Sequence, residues 1–311
     1  MLSDRYRLFV NIVINFENLE NSTDFKFTVF ARIFDIGVIS LCRVYEDQEA
    51  DYEILEEIAS LFAEQKGLEK HFLTYFDKLN SILKPYARNF SFDPEFFEDY
   101  TVYITDHLDS SIDPVILLAG EKKDLSLQMR EEILKSTQSY TKDDMAILSW
   151  DSAFLYGPET PTDLYDLIEF ANVQVLELRH YDQELSRQMT KMYDDILITD
   201  KLPQFRRRRQ YRMIMSHLME TNADICDVIE KINNLIKVTE DVYYAHVYAT
   251  MLKVLRSGQW SESVSHKIDV IQDNYSMLSD EVRIQHSYFL EWIIIGLIAI
   301  EIIMMILEKL L

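Results

Sequence analysis

The chain has 311 residues and 53 acidic against 31 basic side chains, which gives a formal net charge of −22. Because such a surface repels phosphate backbones, the composition disfavours direct binding of nucleic acid. With six glycines and six prolines in the whole chain, most of the chain is expected to be folded, and the glycine-rich loops that bind nucleotides are nearly excluded.

The N-terminal half is predicted to mix strands with helices. Large apolar residues alternate over residues 8–16, and β-branched and aromatic residues dominate 27–34 and 37–45, with a turn at residues 35–37. From about residue 50 to residue 83 the apolar residues recur at helical spacing. These changes of period predict an α+β domain over residues 1–157.

Three shorter signals complete this domain. Residues 100–105 favour a strand because they alternate β-branched and aromatic residues. Asp113 followed by Pro114 is typical of a helix start, with an N-cap and a first-turn proline. The pair Asp151 and Ser152 separates two apolar runs and predicts a hairpin.

After residue 162 the pattern is helical throughout. We predict a helical region with a first coiled-coil arm over residues 163–257, and a second arm over 260–288, joined by a turn at 257–259. The second arm carries apolar residues in heptad spacing, among them Ile268, Ile271 and Tyr275. The pattern therefore predicts an antiparallel coiled-coil hairpin.

The last segment, residues 289–311, is predicted to be a transmembrane helix. Each central Ile or Leu contributes roughly −0.5 kcal/mol to insertion and an acidic residue costs about 3 kcal/mol, so the apolar run outweighs Glu301 by a small margin. Trp292 suits the membrane interface, and Glu291 is expected at the headgroups. The alternative is a very apolar helix buried in a protein oligomer.

This segment also sets the expected location. The N-terminus lacks the long apolar region of a secretory signal, so the bulk of the chain is expected to remain in the cytoplasm. We therefore predict a protein of the inner (cytoplasmic) membrane of a bacterium, held by a single C-terminal span. The expected partners are the lipid bilayer, further copies of the chain and an unidentified protein.

One helix places polar residues within an apolar stripe. Glu169, Asn172 and Glu177 recur at helical spacing, and Glu177 with His180 has the Glu-x-x-His spacing of di-iron helix bundles. Those sites need a second such motif, and the chain has none. We therefore expect a hydrogen-bonded network here, with no metal, cofactor or catalytic residue, and we expect that the protein is not an enzyme.

A single arginine-rich run interrupts the acidic sequence. As a contact patch it would bind an RNA backbone, anionic headgroups, or an acidic patch of its own fold or of a neighbouring subunit. The alternative is a solvated helix start that pairs with nearby acidic residues. The candidate residues are Arg206, Arg207, Arg208, Arg209 and Arg212.

Two segments, 167–182 and 286–301, resemble the required-for-meiotic-nuclear-division family, also called the YagE family. The second is the more specific match, since it contains Leu-Glu-Trp before an apolar run that includes a Glu. The resemblance implies an α+β N-terminal domain, a helical C-terminal region and a terminal membrane helix. It also implies a scaffold, because relatives include a mitochondrial inner-membrane protein that supports organellar translation.

The sequence therefore predicts an α+β N-terminal domain followed by an all-α region with an antiparallel coiled-coil hairpin and a C-terminal transmembrane helix. The predicted function is a membrane-anchored scaffold or tether that displays the acidic domain on a coiled-coil stalk and positions a translation-related or other protein assembly. The alternative is an oligomeric membrane effector or ion-conducting protein that uses the C-terminal helix with Glu301.

Overall fold

A computed structural model describes most of the chain. The described residues are 27–34, 37–46, 55–56, 59–60, 68–85, 96–106, 112–121, 124–157, 162–199, the single positions 206, 209, 210, 213, 216, 219 and 223, and 241–310. The strand predicted at residues 8–16 lies outside these ranges, as do residues 35 and 36 of the first turn. Apart from the single positions just given, residues 200–240 of the region with the first coiled-coil arm also lie outside them.

The contacts divide the chain into two compact units. The first contains residues 1–180 and 232–260, and the second contains residues 181–231 and 261–311. The domain boundary predicted between residues 157 and 163 lies inside the first unit.

The first unit begins with an antiparallel hairpin. Strand β1 (Phe27–Ile33) pairs with strand β2 (Ile39–Tyr45), and Phe30 lies opposite Cys42. The turn between them closes with a hydrogen bond of 2.9 Å from the Phe34 amide to the Val38 carbonyl. Gly37 has a φ of 91°, which a residue with a side chain adopts only at a cost.

A four-stranded sheet forms the centre of the first unit. Its strands are β3 (Thr101–Thr105), β4 (Thr137–Gln138), β5 (Met145–Leu148) and β6 (Ser152–Tyr156), in the order β3-β6-β5-β4. Strands β5 and β6 form an antiparallel hairpin, as predicted, and β3 runs parallel to β6. The first unit also contains the helices α1 (Leu68–Leu83), α2 (Pro114–Ala119) and α3 (Leu127–Leu134).

The core of this unit is built around the central strands of this sheet. Strands β5 and β6 read as nearly continuous apolar runs because both of their faces are covered. The buried cluster consists of Ala59, Tyr103, Leu117, Leu118, Ile147 and Phe154.

Helix α2 begins as the sequence predicts. The Asp113 carboxylate accepts a hydrogen bond of 3.0 Å from the Val115 amide, and its other oxygen pairs with Arg130 at 2.9 Å. We expect Asp113→Ala to lower the free energy of unfolding by about 1–2 kcal/mol, because both the cap and the ion pair are lost. Asp113→Asn is the matched control, since Asn caps as well as Asp but loses the charge. Denaturant titration measures both, and equal losses would contradict a role for the cap.

Two long helices and one shorter helix follow in the described chain. They are α4 (Thr162–Thr199), α5 (Val242–Val254) and α6 (Ser257–Leu310). In the first unit, α4 buries Leu164, Ile168, Ala171, Val175 and Leu178, which recur every three or four residues. The Tyr248 ring on α5 stacks on the Phe170 ring at 6.3 Å.

The second unit pairs the end of α4 with α6. The predicted heptad residues Ile268, Ile271 and Tyr275 are buried on α6. The Lys267 ammonium donates to the Asp182 carboxylate at 2.6 Å and to the Ser186 hydroxyl at 2.7 Å. Helix α4 is therefore one packing partner of α6.

The predicted α+β N-terminal region and helical C-terminal region are confirmed, and the predicted transmembrane helix is wrong. The structure has an α+β N-terminal region and a helical C-terminal region. Within the residues whose side chains are described, no helical stretch is both long and apolar enough for a membrane span.

Candidate functional sites

The predicted residues Glu291, Trp292 and Glu301 lie on helix α6, and all three are exposed. Glu291 and Glu301 are ten residues apart, which corresponds to about 15 Å along a helix axis. They therefore do not form a common site.

The apolar end of α6, residues 292–305, is exposed over its whole length. The exposed fraction of its large apolar residues ranges from 43% for Ile293 to 73% for Trp292. Further back on the same helix, Val264 and Ile271 are buried. The transition from buried to exposed apolar residues marks the apolar end as a surface without a described partner.

The arginine run is described only in part. Arg206 and Arg209 are helical and exposed, three residues apart on one side of a helix. Arg207, Arg208 and Arg212 lie outside the described residues. The assignment of this run as a contact patch remains a prediction.

A partly buried polar cluster lies in the first unit, and the sequence analysis singled out only its member Glu169. Arg32 on β1 pairs with Asp166 on α4 at 2.5 Å and also with Glu169, one turn further along α4. Its guanidinium carbon lies 5.5 Å from the centre of the Phe30 ring and 5.6 Å from that of Tyr165. The Tyr165 hydroxyl donates to the Cys42 sulfur at 3.0 Å. These contacts join the β1–β2 hairpin to α4.

Burial dominates the electrostatics of this cluster. The Glu169 side chain is only 7% exposed, and burial raises its pKa above 4.5, although Ser40 and Arg32 limit the rise. Burial likewise raises the pKa of the Cys42 thiol, so it is a poor nucleophile. For Arg32, the hydrogen bond to Asp166 and the charge of Glu169 outweigh burial and raise the pKa.

The chemistry of this cluster suits a structural contact between the β1–β2 hairpin and α4 better than a reactive site. The Oε1 atom of Glu169 is buried and accepts no hydrogen bond in the described part of the chain, so this carboxylate relies on Ser40 and on the positive charge of Arg32. The sequence signal was the polar residue in an apolar stripe at Glu169. Its partner could not be found from spacing, because Arg32 lies 137 residues earlier.

The other polar residues of this stripe have different surroundings. Asn172 donates to the Ile168 carbonyl of its own helix at 2.9 Å. Glu177 is buried, and His180 is exposed, with its ring 5.6 Å from that of Phe96. Gln174, which the sequence analysis did not single out, is buried and accepts a hydrogen bond from Tyr248.

Comparison with known proteins gives similarity to one family. Residues 10–162 match the family model described as "Uncharacterized protein MJ0711, N-terminal domain". The chain is also similar to the uncharacterized protein MJ0711 of Methanocaldococcus jannaschii, with 28% identity over 239 residues that cover 74% of this chain and 70% of that protein. No solved structure matches the chain.

These comparisons correct the family prediction. The resemblance to the YagE family is wrong, since the matching family is a different one and covers the N-terminal half. The resemblance relied on an amphipathic helix and an apolar run, which are patterns that unrelated helical proteins share. The translation-related role that it implied loses its support.

The location must be corrected as well. The predictions of a membrane protein and of a single C-terminal span in a bacterial inner membrane are wrong, since the described chain contains no such span. The protein with which the chain shares 28% identity is archaeal.

Proposed function

We propose that this protein is a homo-oligomeric scaffold whose copies join through the apolar end of α6. The observation that carries the proposal is the exposed apolar surface of residues 292–305. Ten Ile, Leu and Met side chains in this segment are each about half exposed. A contiguous exposed apolar surface of this kind typically marks an interaction site.

The direction of these side chains favours several copies over two. Successive residues of a helix are turned by about 100°, so Ile293, Ile294 and Ile295 point in three different directions. A helix that is apolar on all sides is normally buried on all sides. A single partner helix would cover one side alone, so a bundle of three or more copies matches the surface better.

Glu301 limits how the copies pack. It lies within the apolar end, and its helical neighbours Leu297, Ile298, Met304 and Met305 are exposed apolar residues. Like charges brought together in an apolar contact are costly. The arrangement of copies is therefore expected to keep the Glu301 carboxylates apart or in contact with water.

Oligomerisation gives the first unit its role in this proposal. Several acidic α+β units would be displayed together, which raises their effective concentration for a protein that binds more than one of them. The partner of these units is a protein, because the net charge of −22 disfavours phosphate-rich ligands.

The test is the mass of the protein in detergent-free buffer. At high salt, which weakens contacts between charged surfaces, we expect the natural chain to have a mass of at least three times 36.9 kDa. Under the same conditions we expect Ile294→Gln/Ile298→Gln/Ile302→Gln to have the mass of a monomer. The three residues lie on one side of the helix, and Gln preserves helix propensity. Size-exclusion chromatography with light scattering measures the mass.

Met277→Gln is the matched control, because Met277 is also exposed on α6 but lies outside the apolar end. Its mass should equal that of the natural chain. Circular dichroism verifies that the triple variant keeps its helices. A monomeric natural chain, or a triple variant that keeps the oligomeric mass, would overturn the proposal.

A further inference from the structure

A second surface, on the first unit, combines one exposed and two half-buried tyrosine rings with carboxylates. The Tyr140 and Tyr243 rings lie 5.3 Å apart, and the Tyr243 and Tyr244 rings lie 5.8 Å apart. Tyr140 is 70% exposed, and the neighbouring Val242 is 83% exposed. We name this surface the tyrosine–aspartate patch; it consists of Tyr140, Asp143, Asp144, Asp163, Asp241, Val242, Tyr243 and Tyr244.

The carboxylates of the patch are held in place by hydrogen bonds. Asp144 accepts from the Tyr140 amide at 2.7 Å and from the Thr141 amide at 3.0 Å. Asp241 caps α5 by accepting from the Tyr243 amide at 2.8 Å. The Tyr244 hydroxyl donates to Asp163 at 3.4 Å. The negative charges are therefore positioned beside the rings before any ligand binds.

No lysine or arginine neutralises these carboxylates within the part of the chain that the structure describes. Asp144, Asp163 and Asp241 form no ion pair there. Lys142 is the basic residue of the same turn, and it is exposed. With Asp143 included, the patch has four carboxylates against one ammonium, so it retains a net negative charge.

The aromatic rings make the patch suitable for a guanidinium group. Burial and the charge of Asp144 raise the pKa of Tyr243 to about 12, and burial and Asp163 raise that of Tyr244. Both hydroxyls therefore stay neutral at ordinary pH and add no negative charge. Arginine stacks on tyrosine rings and pairs with carboxylates through two hydrogen bonds, which lysine cannot do.

The chain itself contains a segment of the required chemistry. Residues 206–212 include five arginines in a protein of net charge −22. Arg206 and Arg209, the two that are described, are exposed. We propose that the arginine run of one copy binds the tyrosine–aspartate patch of a second copy. Charge complementarity selects this occupant, since most of the remaining surface of a second copy would be repelled.

This contact is independent of the apolar end of α6 and adds to it. It joins two different surfaces and is therefore heterologous, so it propagates from copy to copy as a ring or a filament. Combined with the bundle, it would extend the scaffold beyond a single oligomer.

The test uses full-length chains that carry Ile294→Gln/Ile298→Gln/Ile302→Gln, which weakens association through the apolar end. It is made at low salt, where contacts between charged surfaces are strongest. On this background one variant adds Asp143→Arg/Asp163→Arg and another adds Arg206→Glu/Arg209→Glu. We expect each alone to associate at least tenfold more weakly than the background, and a one-to-one mixture of the two to regain the association. Sedimentation velocity measures it, and high salt should weaken it.

The matched control is Asp124→Arg/Glu131→Arg, which makes the same change of charge at exposed positions outside the patch. This control should associate as strongly as the background chain. Unchanged association in both patch and arginine variants, or a mixture that fails to associate, would overturn the proposal. None of these outcomes depends on whether the α6 bundle exists.

Discussion

Arg32→Met is expected to lower the free energy of unfolding by about 3 kcal/mol at neutral pH. The change keeps much of the aliphatic chain that lies between Phe30 and Tyr165 but removes the guanidinium. Glu169 would then be a buried carboxylate without a counter-charge, and uncompensated buried charges cost about 3–5 kcal/mol. Urea titration monitored by circular dichroism measures the loss.

The pH dependence of this loss has a definite sign. The folded-state pKa of Glu169 already lies above 4.5, and it should rise further in the variant. A raised carboxyl pKa gives stability at low pH that is lost as the pH rises through the folded-state value. The difference between Arg32→Met and the natural chain should therefore shrink as the pH falls from 7 towards 4.5.

Two further variants separate charge from packing. Arg32→Met/Glu169→Leu should recover most of the lost stability, because replacing both members of a buried pair is nearly neutral. Arg187→Met removes an exposed pair with Glu184 and should leave stability unchanged. If the double variant were as unstable as Arg32→Met, the loss would come from packing instead of from the unpaired charge.

Phe154→Ala is expected to lower the free energy of unfolding by about 4 kcal/mol. Phe154 is fully buried in β6, opposite Tyr103 on one side and Ile147 on the other. Truncation of a buried Phe costs about 3–5 kcal/mol, because the transfer free energy is lost and a cavity remains. Thermal and denaturant unfolding of the two chains provide the measurement.

Ile104→Ala is the control for Phe154→Ala. Ile104 belongs to the neighbouring strand β3, but its side chain is 44% exposed. Its truncation should cost less than about 1 kcal/mol, because most of the methyl groups keep their contact with water. Equal losses at the two positions would mean that the sheet is not the core of the first unit.

Local chemistry made several elements predictable. The hairpin at Asp151 and Ser152, the strand at 101–105 and the helix start at Asp113 all depend on residues close in sequence. Period-2 and period-3.6 patterns and capping preferences operate over a few residues. The α+β character of the N-terminal region and the helical character of the C-terminal region followed from these signals.

The error at the C-terminus came from judging a segment by its hydrophobicity alone. Residues 292–305 are apolar enough to suggest a membrane, but an apolar helix is equally satisfied by other helices. Hydropathy shows that such a segment is more stable when it is removed from water. It does not show whether lipid or protein surrounds the segment.

The amino-acid sequence by itself determined the strands, helices and caps of this protein, its strong negative charge and its single arginine run. Tertiary structure alone decided that β3 pairs with β6 in parallel, that Arg32 finds Asp166 and Glu169 more than 130 residues away, and that Tyr140 meets Tyr243. The physical reason is that periodicity and capping act between near neighbours. Ion pairs, ring contacts and strand order depend on which distant segments the burial of apolar surface brings together.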